Sequence, residues 1–253
     1  MRVDVALAPP ARAPIEATCL VVDVLRATSV MAVLFGRGLR LAWLAGSIEE
    51  GRAIRAALGE RPGGVMLCGE VDALPPAGFD HGNSPLEFER LALPAEAVLA
   101  TTNGTPALLA CTGARLVLPA APLNAAAAVR VALDAGRDVL VVCSGRVAAG
   151  LRVPGEDDTL AAGLIVERLA LAGARPGDEA LFALEAYEAA REDLGAALRT
   201  TPHGARITAL GFGADVDRCA RTDVYDAVAV LGVEQGRPVL RPLARSTTGH
   251  ETR

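Results

Sequence analysis

The sequence predicts an α/β fold, a three-layer α/β/α arrangement around a largely parallel or mixed sheet. Three observations point there. Short β-branched runs alternate with segments of helical spacing along the chain. Most of those runs are continuously apolar, as strands covered on both faces are. Ala, Leu, Val and Gly dominate, with only 3% aromatic residues, which suits helices laid on strands.

Strand signals fall at TCLVVDV (18–24), LRLAWL (39–44), GVMLCGE (64–70), AVLATT (97–102), ARLVLP (114–119), DVLVVCS (138–144) and DAVAVLG (226–232). Helical spacing occupies IEEGRAIRAAL (48–58), PLNAAAAVRVALDAG (122–136) and TLAAGLIVERLALAG (159–173). The last puts Leu160, Leu164, Ile165 and Leu169 on one stripe, with Gly173 as its stop. In FDHGNSPLEF (79–88), Pro85 fits a first helical turn with Ser84 as cap, and residues 176–199 read as an amphipathic covering helix. The chain is read as one unit, 1–253. A pattern shared by LVVDVLRA (20–27) and LVVCSGRVA (140–148) would divide it into related lobes, 1–125 and 126–253.

Composition excludes several functions. With 253 residues, 51% hydrophobic and 22% charged, the chain can bury a sizeable core. A net charge of −5, no long basic run and few aromatics argue against nucleic acid or an anionic membrane surface as partner. Every long apolar stretch is interrupted before spanning length and no basic-then-apolar leader is read, so a cytoplasmic protein is expected. Five separated cysteines without a C-x-x-C pair predict reduced, buried thiols. All 25 basic residues are Arg. The absence of lysine rules out a Walker lysine, a Schiff base and a lysine nucleophile, leaving Arg, backbone N–H groups or a metal to hold anions.

In parallel sheets ligands sit beyond the carboxyl ends of the strands, so polar strand ends carry the candidates. Asp23 follows TCLVV, with Arg26, Thr28 and Ser29 just after it. It is either a helix cap or a carboxylate that needs a cation; the D-x-D pairing of aspartyl phosphatases is missing because position 25 is Leu. ATTNGTPALL (100–109) sets Thr101, Thr102 and Thr105 around Asn103 and Gly104, an anion cradle or a capped N-G turn. Asn83 and Ser84 sit near Glu70 and Asp72, in segments that can form a polar loop over a site, while a lone His81 is more often structural. Ser144, Gly145 and Arg146 make a second anion contact. Cys143 lacks the Arg six residues on that a cysteine phosphatase needs, and GFGADV (211–216) does not complete a dinucleotide fingerprint. VPGEDDTLAAGLI (153–165) places Glu156, Asp157 and Asp158 at the start of an apolar helix. The helix dipole gives an exposed acid there about 0.3–1 kcal/mol, enough to explain one carboxylate but not three that repel.

Taken in order, VVDVLRATS, GFDHGNSPLEF, TTNGTPAL, VCSGR and EDDTLAAG resemble the motif series of the 2-phosphosulfolactate phosphatase family. The resemblance runs from about Val21 to Val230, and GFGADVDRCARTDVYDAV is similar to the family's closing helix and strand. It implies a Mg²⁺-dependent acid phosphatase that hydrolyses 2-phospho-3-sulfolactate to sulfolactate and phosphate, a step in coenzyme M synthesis. From residue chemistry, Asp23, Asp157 and Glu156 are the expected catalytic carboxylates, and Asp23, Glu156, Asp157, Asp158 and Glu70 the expected Mg²⁺ holders. Substrate binding is expected from Arg26, Thr28, Asn83, Ser84, Thr101, Thr102, Asn103, Gly104, Thr105, Ser144, Gly145 and Arg146, with Arg26, Arg146 and Arg152 for the acidic groups. A phosphatase of another phosphorylated 2-hydroxy acid, and a non-catalytic phosphate- or nucleotide-binding regulatory protein, are the alternatives. The expected partner is a small anionic phosphate ester; a homodimer is the general tendency of small α/β enzymes.

Overall fold

The computed structural model describes residues 1–11, 13–148 and 150–243. The chain runs β1 (Arg2–Ala6), β2 (Thr18–Val22), α1 (Ala27–Gly36), β3 (Leu41–Ala45), α2 (Ile48–Leu58), β4 (Val65–Gly69), α3 (Pro85–Phe88), β5 (Glu96–Ala100), α4 (Gly104–Ala110) and β6 (Leu116–Pro119). It continues through α5 (Ala125–Asp134), β7 (Val139–Cys143), β8 (Arg146–Ala148), β9 (Leu151–Val153), α6 (Glu156–Leu171) and β10 (Arg175–Pro176). The last elements are α7 (Asp178–Ala190), α8 (Leu194–Thr200), α9 (Pro202–Ile207), α10 (Gly213–Cys219), β11 (Ala229–Glu234) and β12 (Arg237–Pro242).

Among the described residues the strands form two five-stranded sheets and one small hairpin. The first sheet has the order β10-β1-β7-β2-β6 and is parallel throughout. The second has the order β11-β12-β3-β5-β4; β3, β5 and β4 are parallel, and β12 and β11 add antiparallel at one edge. The hairpin pairs β8 with β9. Each sheet takes strands from both sides of residue 125.

Alternation along the strands explains how the layers stack. In β2, Leu20 and Val22 pack into a core with Ala128 of α5, Ile165 of α6 and Ala183 of α7, while Cys19 and Val21 face the opposite way. On that inner side they meet Val30 and Met31 of α1, Leu108 of α4, and Leu44, Cys68 and Leu99 of the second sheet. The second sheet's outer face, with Trp43, Leu67 and Val98, is covered by Ile54 of α2. Each sheet is thus the middle of an α/β/α sandwich, and α1 and α4 serve both.

Two segments that sequence periodicity missed, α1 and β12, have separate physical causes. Nine of the ten residues of α1 are buried, so no polar face marks it as a helix. The β12 run RPVLRP contains Pro238 and Pro242, which fall outside the Val239–Leu240 stretch that pairs with β3. The 176–199 segment is two helices, α7 and α8, with Asp193 capping the second by accepting from Ala196 N at 2.9 Å. Ser84 caps α3 as expected, accepting from Glu87 N at 3.2 Å. Helix α6 begins at Glu156, earlier than its apolar stripe, with Gly155 and not an acid at the cap position. All five cysteines are free and buried. Among the described residues no helix is long and apolar enough to cross a membrane.

Helices α6 and α7 approach so closely that a Cβ on Gly163 would lie 2.1 Å from the carbonyl oxygen of Ala183. Gly163→Ala is therefore expected to destabilise the protein by about 1–3 kcal/mol through overpacking. Thermal unfolding should show a Tm lowered by about 2–4 °C per kcal/mol; an unchanged Tm would contradict this helix contact.

Candidate active site

The parallel strands of both sheets end at one place. Asp23 follows β2, Ser144 follows β7, Glu70 follows β4, Thr101 to Asn103 follow β5, and α6 starts nearby with its acids. The junction is Asp158, 3% exposed. Its Oδ1 accepts from Val24 N at 2.9 Å, and its Oδ2 accepts from the Ser144 hydroxyl at 2.8 Å and Gly145 N at 3.0 Å. Asp158 thereby ties α6 to the ends of β2 and β7. The geometry assigns it a structural tie, with both oxygens engaged, and puts Ser144 and Gly145 in the same tie. Gly145 has φ +62, and a Cβ there would sit 2.5 Å from the carbonyl of Val153, a place only glycine fits.

Asp23 is 6% exposed. Its Oδ1 accepts from Ala27 N at 3.2 Å, while its main-chain oxygen accepts from the Thr28 hydroxyl at 3.0 Å. Thr28 is thus a backbone brace for Asp23. Gly104 comes so close that an added Cβ would be 2.7 Å from Asp23 Oδ2. Burial and the charge of Glu70 push the Asp23 carboxyl up to about 7, against the lowering effect of the Ala27 amide. Burial also raises Asp157, opposed by the charge of His203. Asp158 is held well above the usual carboxylate range by burial and by the charges of Asp157 and Asp23.

Two compartments lie above these acids. An inner recess is lined by Asp23, Arg26, Glu70, Asn83, Asn103 and His203, among others. An outer cleft of about 500 Å³ shares Glu70, Asn103 and His203 and adds Asp72, Thr102, Arg146 and Arg206. Asn83, 6% exposed, makes no side-chain hydrogen bond among the described residues, so its amide is available to the recess. Glu70 accepts from Thr102 N at 2.7 Å and Ala73 N at 3.0 Å. Asp72 and Ala73 form a two-residue turn at φ +55 and +70, closed by hydrogen bonds of 3.0 Å in both directions between Val71 and Leu74. A left-handed Ala costs roughly 1–2 kcal/mol; Glu70 on its N–H and Arg26 on its carbonyl, at 2.7 Å, hold it there.

The other expected residues divide by what they touch. Arg26, 2% exposed, is fixed by Asp215 at 2.7 Å, by the Ala73 carbonyl and by the Phe212 ring beneath it, while still facing the recess. Ser84 donates to the same Asp215 at 2.7 Å. Thr101 and Thr105 bond reciprocally, Thr105 N to Thr101 Oγ1 at 2.9 Å and Thr101 N to Thr105 Oγ1 at 3.0 Å, and so stiffen the loop. Thr102 and Asn103 reach the cleft. Arg152 clamps that loop, donating to Asn103 Oδ1 at 3.2 Å and the Ser144 carbonyl at 3.0 Å. Glu156 is exposed and lies outside both linings, and His81 pairs with Glu87 at 2.7 Å. Burial raises the Cys143 thiol far above its ordinary value, consistent with an inert filler.

Sequence reasoning missed His203, Arg206 and Asp215. His203 Nδ1 lies 3.6 Å from Asp157 Oδ2, and the side chain lines both compartments. His203 and Arg206 share a face of α9 at i, i+3 spacing behind the Thr201 cap, a signal present in TTPHGAR but with nothing local to link it to Asp157. Among the described residues no three His, Cys, Asp or Glu side chains converge as a ready-made metal centre.

The profile of the family described as 2-phosphosulpholactate phosphatase matches residues 7–233. Similar curated proteins carry the name probable 2-phosphosulfolactate phosphatase. One from Deinococcus radiodurans is 40% identical over 235 residues, 91% of this chain and 93% of its own. One from Thermotoga petrophila is 34% identical over 232 residues, 90% and 95%. One from Thermus thermophilus is 34% identical over 249 residues, 95% and 98%.

The raised Asp23 carboxyl has a signed consequence. Between the ordinary value of 3.8 and about 7 the folded chain binds more protons than the unfolded one, so stability falls as pH rises through that window. Asp23→Asn should raise the Tm by several degrees at pH 8 in EDTA and flatten its decline between pH 5 and 8. An equally steep decline in the variant would show that Asp23 does not carry the burial cost.

Proposed function

The chain belongs to the 2-phosphosulfolactate phosphatase family of phosphoric monoester hydrolases, and from that premise we propose that it hydrolyses 2-phospho-3-sulfolactate with Mg²⁺ as cofactor, the sulfolactate-forming step of a coenzyme M type synthesis. The observation that carries this reading is the recess: a buried carboxylate pushed to about 7, a second one at Glu70, a free Asn83 amide, Arg26 and His203 around one small space.

The donor chemistry fits Mg²⁺. Asp23 and Glu70 are the carboxylates lining the recess, and their repulsion is what a cation relieves. Mg²⁺ takes one or two carboxylates, waters and substrate phosphate in preference to an all-protein cage, which agrees with the two acids that line the recess. Bound there, it supplies charge neutralisation for the phosphoryl group. Asn83 and Arg26 face the same space, where they orient phosphoryl oxygens. His203, with Nδ1 towards Asp157, sits between the compartments and is placed to give a proton to the departing hydroxy-acid oxygen. Water attacks phosphorus directly in this scheme. The Asp23 carboxylate is held by Ala27 N and packed on Gly104, and no second acid stands two residues on.

Phosphate release from 2-phosphosulfolactate should require Mg²⁺ and stop in EDTA. Asp23→Asn should lower kcat by about 10³-fold, and His203→Asn by about 10²–10⁴-fold, the range of a positioned proton donor. Single turnover in labelled water should place solvent oxygen in the released phosphate. Unchanged turnover in both variants would overturn the site, and a trapped phosphoaspartate would overturn direct attack.

A further inference from the structure

Of the arginines near the site, two are already tied to protein partners and keep only their remaining N–H groups for a ligand. Arg26 is held by Asp215 and the Ala73 carbonyl, and Arg152 by Asn103, the Ser144 carbonyl and the Thr102 carbonyl at 3.4 Å. The outer cleft offers two others. Arg146 opens the β8–β9 hairpin, and its guanidinium has no hydrogen bond or ion pair among the described residues. Among the described residues Arg206 of α9 has one partner, Asp72, at 2.9 Å, and that pair is open to solvent, with 56% and 73% of the side chains exposed. The hairpin is not loose: Arg152, paired across it with Val147, is the residue clamped to the Thr102 to Asn103 loop, and this fixes where Arg146 stands.

We propose that Arg146 and Arg206 form a subsite for the sulfonate of the substrate, with Asp72 as an internal placeholder for that anion on Arg206. The inference rests on the phosphatase reading for where the ester lies. In this ester the sulfonate stands one methylene further from the phosphate-bearing carbon than the carboxylate does, so with the phosphoryl group at the Glu70, Asn103 and His203 lining that the two compartments share, the sulfonate has the longer reach into the cleft. A sulfonate keeps its charge at every working pH and presents three oxygens, which two forked guanidiniums can share. The other charged groups facing the cleft are Glu70, whose oxygens accept from Thr102 N and Ala73 N, His203, and Asp72 itself. Asp72 therefore competes with the ligand for Arg206, so removing its charge strengthens the subsite.

Calorimetric titration with 3-sulfolactate and with lactate, which lacks only the sulfonate, tests this without relying on turnover. Wild-type protein should prefer sulfolactate. Arg146→Met and Arg206→Met should each reduce that preference by about 10- to 100-fold, the range for a lost charge-assisted contact, and Asp72→Asn should enlarge it. The kcat/KM ratio of 2-phosphosulfolactate to 2-phospholactate should move in parallel. An unchanged preference in both Arg variants, or affinities for the two ligands that fall together, overturns the subsite. Absence of phosphate release from either ester, with the sulfolactate preference intact, would instead defeat the phosphatase reading.

Discussion

The three hydrogen bonds accepted by the Asp158 carboxylate hold the site together. They join the first turn of α6 to the residues that follow β2 and β7, and so fix where Asp23, Ser144 and the hairpin stand relative to one another. A carboxylate 3% exposed would be costly without partners. Here Val24 N, the Ser144 hydroxyl and Gly145 N replace the lost water, and Gly145 can donate only because its backbone turns through φ +62.

That anchor also clarifies the EDD run at the start of α6. Its three acids divide the work by geometry: Asp158 binds the strand ends, Asp157 faces His203 across 3.6 Å, and Glu156 is exposed. The dipole of a helix start favours all three. Only two of them are buried, and burial raises both. The active region is thus a low-dielectric acid floor beneath a cleft edged by arginines. Such a floor attracts cations, while the arginines at its edge attract anions.

Strain collects at the same place. The turn through Asp72 and Ala73 takes positive φ at two residues other than glycine, a conformation usually given to Asn-Gly. Glu70 and Arg26, both lining the recess, grip the two faces of the Ala73 peptide region. The recess-lining groups and the turn beside them therefore support one another, an arrangement typical of sites where backbone strain persists.

By itself the sequence determined the alternating strand and helix order, the buried thiols, the absence of lysine chemistry and the polar strand ends at Asp23, Thr101 and Ser144, because each is written in local period or composition. The ordered motifs also carried the family relation. Only the tertiary structure decided that the strands form two sheets sharing α1 and α4, since a helix buried on every side has no polar stripe to declare it. It also decided which hydroxyls brace the backbone and which groups reach the cleft. His203 meets Asp157 from 46 residues away in the chain, and Arg26 meets Asp215 from 189 away. Charge pairing across such separations depends on packing, which no local pattern encodes.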